Sequence, residues 1–232
     1  MPIFCAEAVL FDVDGTLVDH EAAAEAAVRA GFPFVPDRDG LARRWRELEA
    51  WAMDRYLAGE LTFTEQRRLR ITHLADEFGQ GVWSDDRADA WFAEYLVQYE
   101  AAWRTYPDVA PALSALAAEH PKVRLGVITN GDSQQQRRKL AKVGLLGLLD
   151  HATISSEIGV AKPHPAIFLA ACDALRLPSS QVVYIGDRLR TDAEAAITAG
   201  LQGIWLDRRD TGVATSAKRI KSLTELPPLI RG

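Results

Sequence analysis

The sequence predicts a three-layer α/β fold: a Rossmann-like parallel sheet covered by helices, with an all-helical domain inserted after the first strand. Three observations carry this. Short apolar runs alternate with helical stretches from residue 105 to residue 208, the pattern of a parallel sheet covered on both faces. One long helical segment, 18–104, separates the first strand from the rest. Several apolar runs end in acids or small polar residues, and open parallel sheets bind ligands at such strand ends. The expected core is therefore 1–17 with 105–232, and the expected helical cap is 18–104.

In chain order, "AEAVLFDVD" (6–14) is a short buried strand ended by its own acids. Leu41, Trp45, Leu48, Ala52 and Tyr56 then recur at steps of three and four, which is one face of a helix. Gly59 ends that helix, and Thr62 with Glu65 fits a capping box for the next. Ile71, Leu74 and Phe78 continue it. Ser84 precedes a further helix with Ala88, Trp91, Tyr95 and Tyr99 on one side. A helix over 110–119 leads to the strand "KVRLGVITNGD" (122–132), and a helix over 133–143 is capped by Asp132 and Ser133. A short strand at 151–155, a helix after "KPHP", a strand at 181–187, a helix over 191–199 and a last strand at 202–208 complete the core. The tail "ELPPLIRG" is expected to be loosely held.

The chain has 232 residues, 48% of them hydrophobic, with a net charge of −5. That length fits one large domain, or a core with a smaller insert. An acidic balance argues against a nucleic-acid partner, and no apolar run approaches the ~18–20 residues of a membrane span. No basic region precedes the first apolar residues, so no signal peptide is expected. Cys5 and Cys172 form no CxxC pair, and two buried free thiols in a reducing cytoplasm are expected. The arginine runs at 43–46 and 67–70 read as solvated faces. Trp45 reads as core, and His20, Arg188 and Arg190 as surface residues.

The strand ends "DVDGT", "TNGD" and "GDRLRTD" place Asp12, Asp14, Thr129, Asn130, Asp187 and Asp192 where one crevice could gather them, and Lys162 follows another strand. Clustered carboxylates repel one another unless a cation intervenes. An all-oxygen donor set without His or Cys suits magnesium better than zinc. Lys162 and Thr129 add a positive charge and a hydroxyl donor, and backbone N–H groups after Asn130, at a helix start, would add an anion site. Together these describe a place for magnesium and a phosphoryl group.

"DVDGT", "TNG", "KP" and "GDRLRTD", in that order, resemble the four motifs of the haloacid dehalogenase superfamily, and the insert after the first resembles its C1 cap. The resemblance implies that Asp12 is a nucleophile forming an aspartyl-phosphate. Asp14 is then general acid for the leaving group and base for the hydrolytic water, with its carbonyl on the metal. Thr129 and the backbone near Asn130 hold phosphoryl oxygens, and Lys162 neutralises charge on the phosphate and Asp12. Asp187 ligates magnesium, and Asp192 supports it directly or through water. A finer resemblance, over "VITNGDSQQQRRKLAKVGLLGLLDHATISSEIGVAKPHPAIFLAA" with "GELTFTEQRRLR", is to the branch of pyrimidine nucleotidases and N-acylneuraminate-9-phosphatase.

This implies a monomeric or homodimeric phosphomonoester hydrolase acting on a small phosphorylated metabolite, such as a nucleoside monophosphate or a sugar phosphate. The rival readings are a phosphotransferase such as a sugar-phosphate mutase, a haloacid dehalogenase, and a non-enzymatic phospho-accepting or binding protein. Dehalogenases of the superfamily lack an acid at the position of Asp14, because a departing halide needs no proton.

Overall fold

The computed structural model describes residues 4–231. In chain order the elements are β1 (Phe4–Cys5), β2 (Ala8–Phe11), α1 (His20–Gly31), α2 (Arg38–Leu57), α3 (Phe63–Glu77), α4 (Asp85–Ala101), α5 (Val109–Glu119), β3 (Arg124–Thr129), α6 (Ser133–Lys142), β4 (His151–Ile154), α7 (Ser155–Ile158), α8 (Pro165–Leu175), β5 (Val182–Gly186), α9 (Ala195–Thr198), β6 (Gln202–Leu206), β7 (Lys218–Ile220) and β8 (Ile230–Arg231). The chain divides into two compact units, Met1–Asp19 with Arg104–Gly232, and His20–Trp103.

The first unit is built on a six-stranded parallel sheet in the order β4-β3-β2-β5-β6-β7. All four residues of β2 are buried, as a central strand covered on both faces requires. Ala8 and Leu10 of β2, Ile128 of β3, and Val182 and Tyr184 of β5 pack with Ile167, Phe168, Ala171, Cys172 and Leu175 of α8. Strands of this period turn alternate residues to opposite faces, so Val9, Phe11, Val127, Val183 and Ile185, also fully buried, serve the other side. Phe11 lies in register with Val127 on one neighbour and Ile185 on the other. The carboxyl ends of β2, β3 and β5 therefore finish side by side. The order reverses at β2, and an open parallel sheet offers its crevice at such a point.

Several expectations change. The first strand stops at Phe11, so Asp12 and Asp14 lie in the turn beyond it rather than within it. The strand at 202–208 is not the last: β7 adds a parallel edge to β6. The tail is not loose, because Ile230 pairs with Phe4 in a second, two-stranded sheet and Leu226 is fully buried. The helix expected over 191–199 opens as a wide π-type turn, Leu189–Glu194, before α9. Cys172 is buried, but Cys5 on the short strand β1 is exposed.

The tail is fixed by polar contacts as well. Asp108 Oδ2 accepts from Arg208 at 2.8 Å, from the Ser222 hydroxyl at 2.9 Å and from the Leu223 N–H at 2.8 Å. The Arg208 guanidinium lies 4.0 Å from the Tyr106 ring centroid and donates to the carbonyls of Gly15 and Thr16, at 3.3 and 2.7 Å.

The second unit is four helices. Leu41, Trp45, Leu48 and Ala52 of α2 are buried as the spacing predicts, while Tyr56 is half-buried. Trp45 is a core residue whose indole N–H donates to Tyr95 Oη at 3.1 Å. The capping box forms: Thr62 Oγ1 accepts from Glu65 N and the Glu65 carboxylate from Thr62 N. Arg70 departs from the expected solvated face. It is buried over the Trp45 ring, 4.3 Å from its centroid, and pairs with Glu49 at 2.9 Å. No helix among the described residues is long and apolar enough to cross a membrane.

Candidate active site

Asp12 follows the last residue of β2, and its N–H donates to Ile185 O at 2.8 Å. The chain turns at once through Gly15, whose φ of +92° is a conformation that favours glycine. A Cβ at Gly15 would also lie 2.5 Å from Asp187 Oδ2, so this turn packs directly on the end of β5. Across the crevice, Asp187 and Asp192 come from the end of β5 and the wide turn after it. Asp192 is buried; its Oδ2 accepts from Arg188 N at 3.0 Å. π-type turns recur at functional sites, and here the wider turn holds a carboxylate above the sheet.

Lys162 binds this group together. Its buried ammonium reaches Asp12 Oδ1 at 2.6 Å, Asp192 Oδ1 at 2.7 Å and Tyr184 Oη at 2.8 Å. The Tyr184 hydroxyl also lies 3.1 Å from both Ile128 O and Asp192 Oδ1, and its single proton serves one of them. Burial would lower the Lys162 pKa, but Asp12 and Asp192 outweigh it and hold it above its ordinary value.

Oxygens of Asp12, Asp187 and Asp192 all lie within 4.8 Å of one another. Burial pushes Asp12 up to about 6, with Lys162 pulling down and Asp192 pushing further up. Burial pushes Asp187 up to about 8, with the charges of Asp12 and Asp192 adding to the rise. The nearby Thr16 hydroxyl reaches Asp187 at only 3.5 Å. Four carboxylates, counting Asp14, thus meet two buried ammonium groups, those of Lys162 and Lys139. The all-oxygen donor set and its excess of negative charge fit a hard divalent cation held by Asp12, Asp187 and Asp192.

Asp14 stands apart from that cluster. Its carboxylate takes Lys139 Nζ at 2.5 and 2.8 Å and Gln136 Nε2 at 2.9 Å. Thr129 is buried at the end of β3. Asn130 spends its side chain on the backbone of Lys162, donating to the carbonyl at 2.9 Å and accepting from the N–H at 2.8 Å. The anion site expected at the start of α6 is largely occupied. Gly131 N donates to Ser155 Oγ, Ser133 N to Ser156 Oγ and Gln135 N to Asp132 Oδ1, each at 2.9 Å. The two serines after β4 and the Asp132 cap satisfy N–H groups that a phosphate would otherwise find.

Sequence reasoning missed Tyr184, Gln136, Lys139 and Ser155. Gln136 and Lys139 are three apart on α6 and share a face, a signal that was present but lay inside a wholly polar stretch. Arg188 and Arg190 are exposed, as expected.

The model of the family described as haloacid dehalogenase-like hydrolase matches residues 6–200. The glyceraldehyde 3-phosphate phosphatase of Methanopyrus kandleri is 32% identical over 206 residues, which cover 87% of this chain and 84% of that one. The N-acylneuraminate-9-phosphatase of Mus musculus is 34% identical over 129 residues, 53% of this chain and 51% of the relative. The pyrimidine 5′-nucleotidase YjjG of Escherichia coli is 36% identical over 124 residues, 51% of this chain and 55% of the relative. Among solved structures, the HAD-hydrolase YfnB from Bacillus subtilis bound to magnesium aligns with a TM-score of 0.82 at 22% identity over 97% of each chain, a likeness of fold.

Proposed function

The chain belongs to the haloacid dehalogenase-like hydrolase family, and from that premise we propose that it is a magnesium-dependent phosphomonoester hydrolase. The substrate is a small phosphorylated metabolite, in the class of the sugar phosphates and nucleoside monophosphates on which the named relatives act. The observation that carries this reading is the division of labour among the acids. Asp12 is buried on Lys162 beside Asp187 and Asp192, whereas Asp14 is held apart on Lys139 and Gln136.

In the first half-reaction an Asp12 carboxylate oxygen bonds to phosphorus as the phosphorus–oxygen bond to the leaving group breaks. Asp14, as the acid, gives its proton to the departing oxygen. In the second, water attacks phosphorus, its proton passes to Asp14, and the bond from phosphorus to Asp12 breaks to release phosphate. Lys162 offsets the charge that gathers on Asp12 and the phosphoryl oxygens, and the Thr129 hydroxyl donates to one of those oxygens. Asp12, Asp187, Asp192 and the Asp14 carbonyl would hold a magnesium ion, which would supply the charge neutralisation that lets a carboxylate approach a phosphate. A haloacid dehalogenase would have no use for Asp14 as a proton donor.

In this reading the α/β unit, 1–17 with 105–232, carries the chemistry, and the helical unit, 18–104, selects among leaving groups. The setting is the cytoplasm, where such metabolites and millimolar magnesium meet. The test is phosphate release from a panel of nucleoside monophosphates, sugar phosphates, glyceraldehyde 3-phosphate and an aryl phosphate, with magnesium and with chelator. Magnesium-dependent release that disappears in Asp12→Asn is expected. Release that persists in that variant, or no release from any substrate by folded protein, overturns the reading.

A further inference from the structure

Helix α6 reads "SQQQRRKLAK" and should lie on the surface, yet two of its polar side chains are buried. Gln136 is 3% exposed and Lys139 is 1% exposed. An ammonium so deeply buried is costly unless a carboxylate answers it, and the carboxylate is Asp14. An apolar pair of the same volume in place of both charges would avoid that cost. The fold therefore does not need an ion pair there, but the site has a use for one.

Three contacts from two side chains converge on the two oxygens of Asp14. Gln136 Nε2 also lies 3.3 Å from Asn130 O, which ties the amide to the end of β3. The Asp14 side chain keeps 26% of its surface exposed, so solvent still reaches it. A carboxylate left to itself here would be drawn toward any cation at Asp12, Asp187 and Asp192. The pairing with Lys139 opposes this and fixes the orientation of the carboxylate.

We propose that Lys139 and Gln136 are positioning residues, which hold the Asp14 carboxylate off the cation cluster and aim it as the base of the second half-reaction. This rests on the phosphatase reading above. The contacts are to a carboxylate, the form that takes a proton from water, so their loss falls first on release of phosphate from Asp12.

The experiment is rapid-mix kinetics with 4-nitrophenyl phosphate, whose leaving group departs without a proton. Wild type, Lys139→Met, Gln136→Met and Asp14→Asn are compared. In Lys139→Met we expect a burst of one nitrophenolate per site at a rate within about tenfold of wild type, then a steady state about 10²-fold slower. KM should fall with kcat, and phosphate should be trapped on Asp12. Gln136→Met, which loses the amide's bonds to Asp14 and to Asn130 O and keeps the ion pair, should show the same pattern with a loss of about threefold to tenfold. Lys139→Met should melt below wild type, because Asp14 loses the Lys139 counter-charge.

A burst and steady state that fall together in both variants, or no loss in either, overturns the positioning role. If Lys139→Met fails to fold, the burst in Gln136→Met decides by the same criterion. The absence of a burst in Asp14→Asn, while wild type turns over, refutes Asp14 as the base, and the inference with it. If wild type releases no phosphate from any substrate, it is the underlying reading that fails.

Discussion

Replacing Asp187 by asparagine should stabilise the metal-free protein, although the reading above makes Asp187 a metal ligand. Burial and its acidic neighbours raise Asp187 from an ordinary 3.8 to about 8. Between those two values the folded chain holds a proton that the unfolded chain gives up. The folded state binds more protons across that window, so stability falls as pH rises through it. At 1.36 kcal/mol per pH unit the whole window sets an upper limit of about 6 kcal/mol. Water reaching a half-buried carboxylate screens part of this, and roughly 2–4 kcal/mol is expected between pH 5 and pH 8. Asp12, raised to about 6, adds to the fall at the lower end of the same window. For a chain of this size each kcal/mol moves the melting point by about 2–4 °C, so the expected fall is roughly 5–15 °C. The assay is thermal unfolding by circular dichroism from pH 5 to 8.5, in chelator and in millimolar magnesium. In chelator, wild type should lose stability toward pH 8, and Asp187→Asn should show a flatter profile and melt higher at pH 8. Magnesium should restore the wild type most at pH 8 and the variant little. The same slope in both proteins, or a variant that melts lower at pH 8 in chelator, would refute the account of the site as a cluster of mutually repelling acids.

Two further outcomes follow from local geometry. Gly15→Ala combines a positive φ of +92° with a Cβ 2.5 Å from Asp187 Oδ2; turnover should fall by at least about 10²-fold, because small displacements at a reacting centre are costly, and near-normal kcat would show that the turn and the end of β5 are not in contact during the reaction. Thr62→Ala removes one half of the capping box on α3 and should cost about 1 kcal/mol in denaturant unfolding with no change in kcat; an unchanged midpoint would mean that the end of α3 frays in the native protein.

The acids at strand ends were legible because a chemical need shows in residue type: Asp12, Asp14 and Asp187 follow apolar runs that must be strands. The parallel sheet was legible from alternation alone. What stayed hidden depends on partners far away in sequence. Lys139 looks solvated in its own helix, and only Asp14, 125 positions earlier, makes its burial intelligible. Arg70 looked like one member of a charged run until Trp45 and Glu49 enclosed it. The tail carries two prolines and reads as loop, but pairing with Phe4 and the burial of Leu226 give it a fixed place. The widened turn at Leu189–Glu194 has no periodic signature, and the Asp192 contacts within it run to Lys162, 30 positions earlier, and to the Arg188 N–H.

Asp108 gathers one donor from Arg208 and two from the segment beginning at Ser222, and Arg208 in turn holds the carbonyls of Gly15 and Thr16. The last strip of chain is thereby rigged to the loop that carries the two opening acids, as a stay is rigged to a mast. Shortening the protein at its carboxyl end, for display or fusion, would slacken that line before it removed any residue near the chemistry. Catalytic decline without loss of the sheet would be the mark of such a cut.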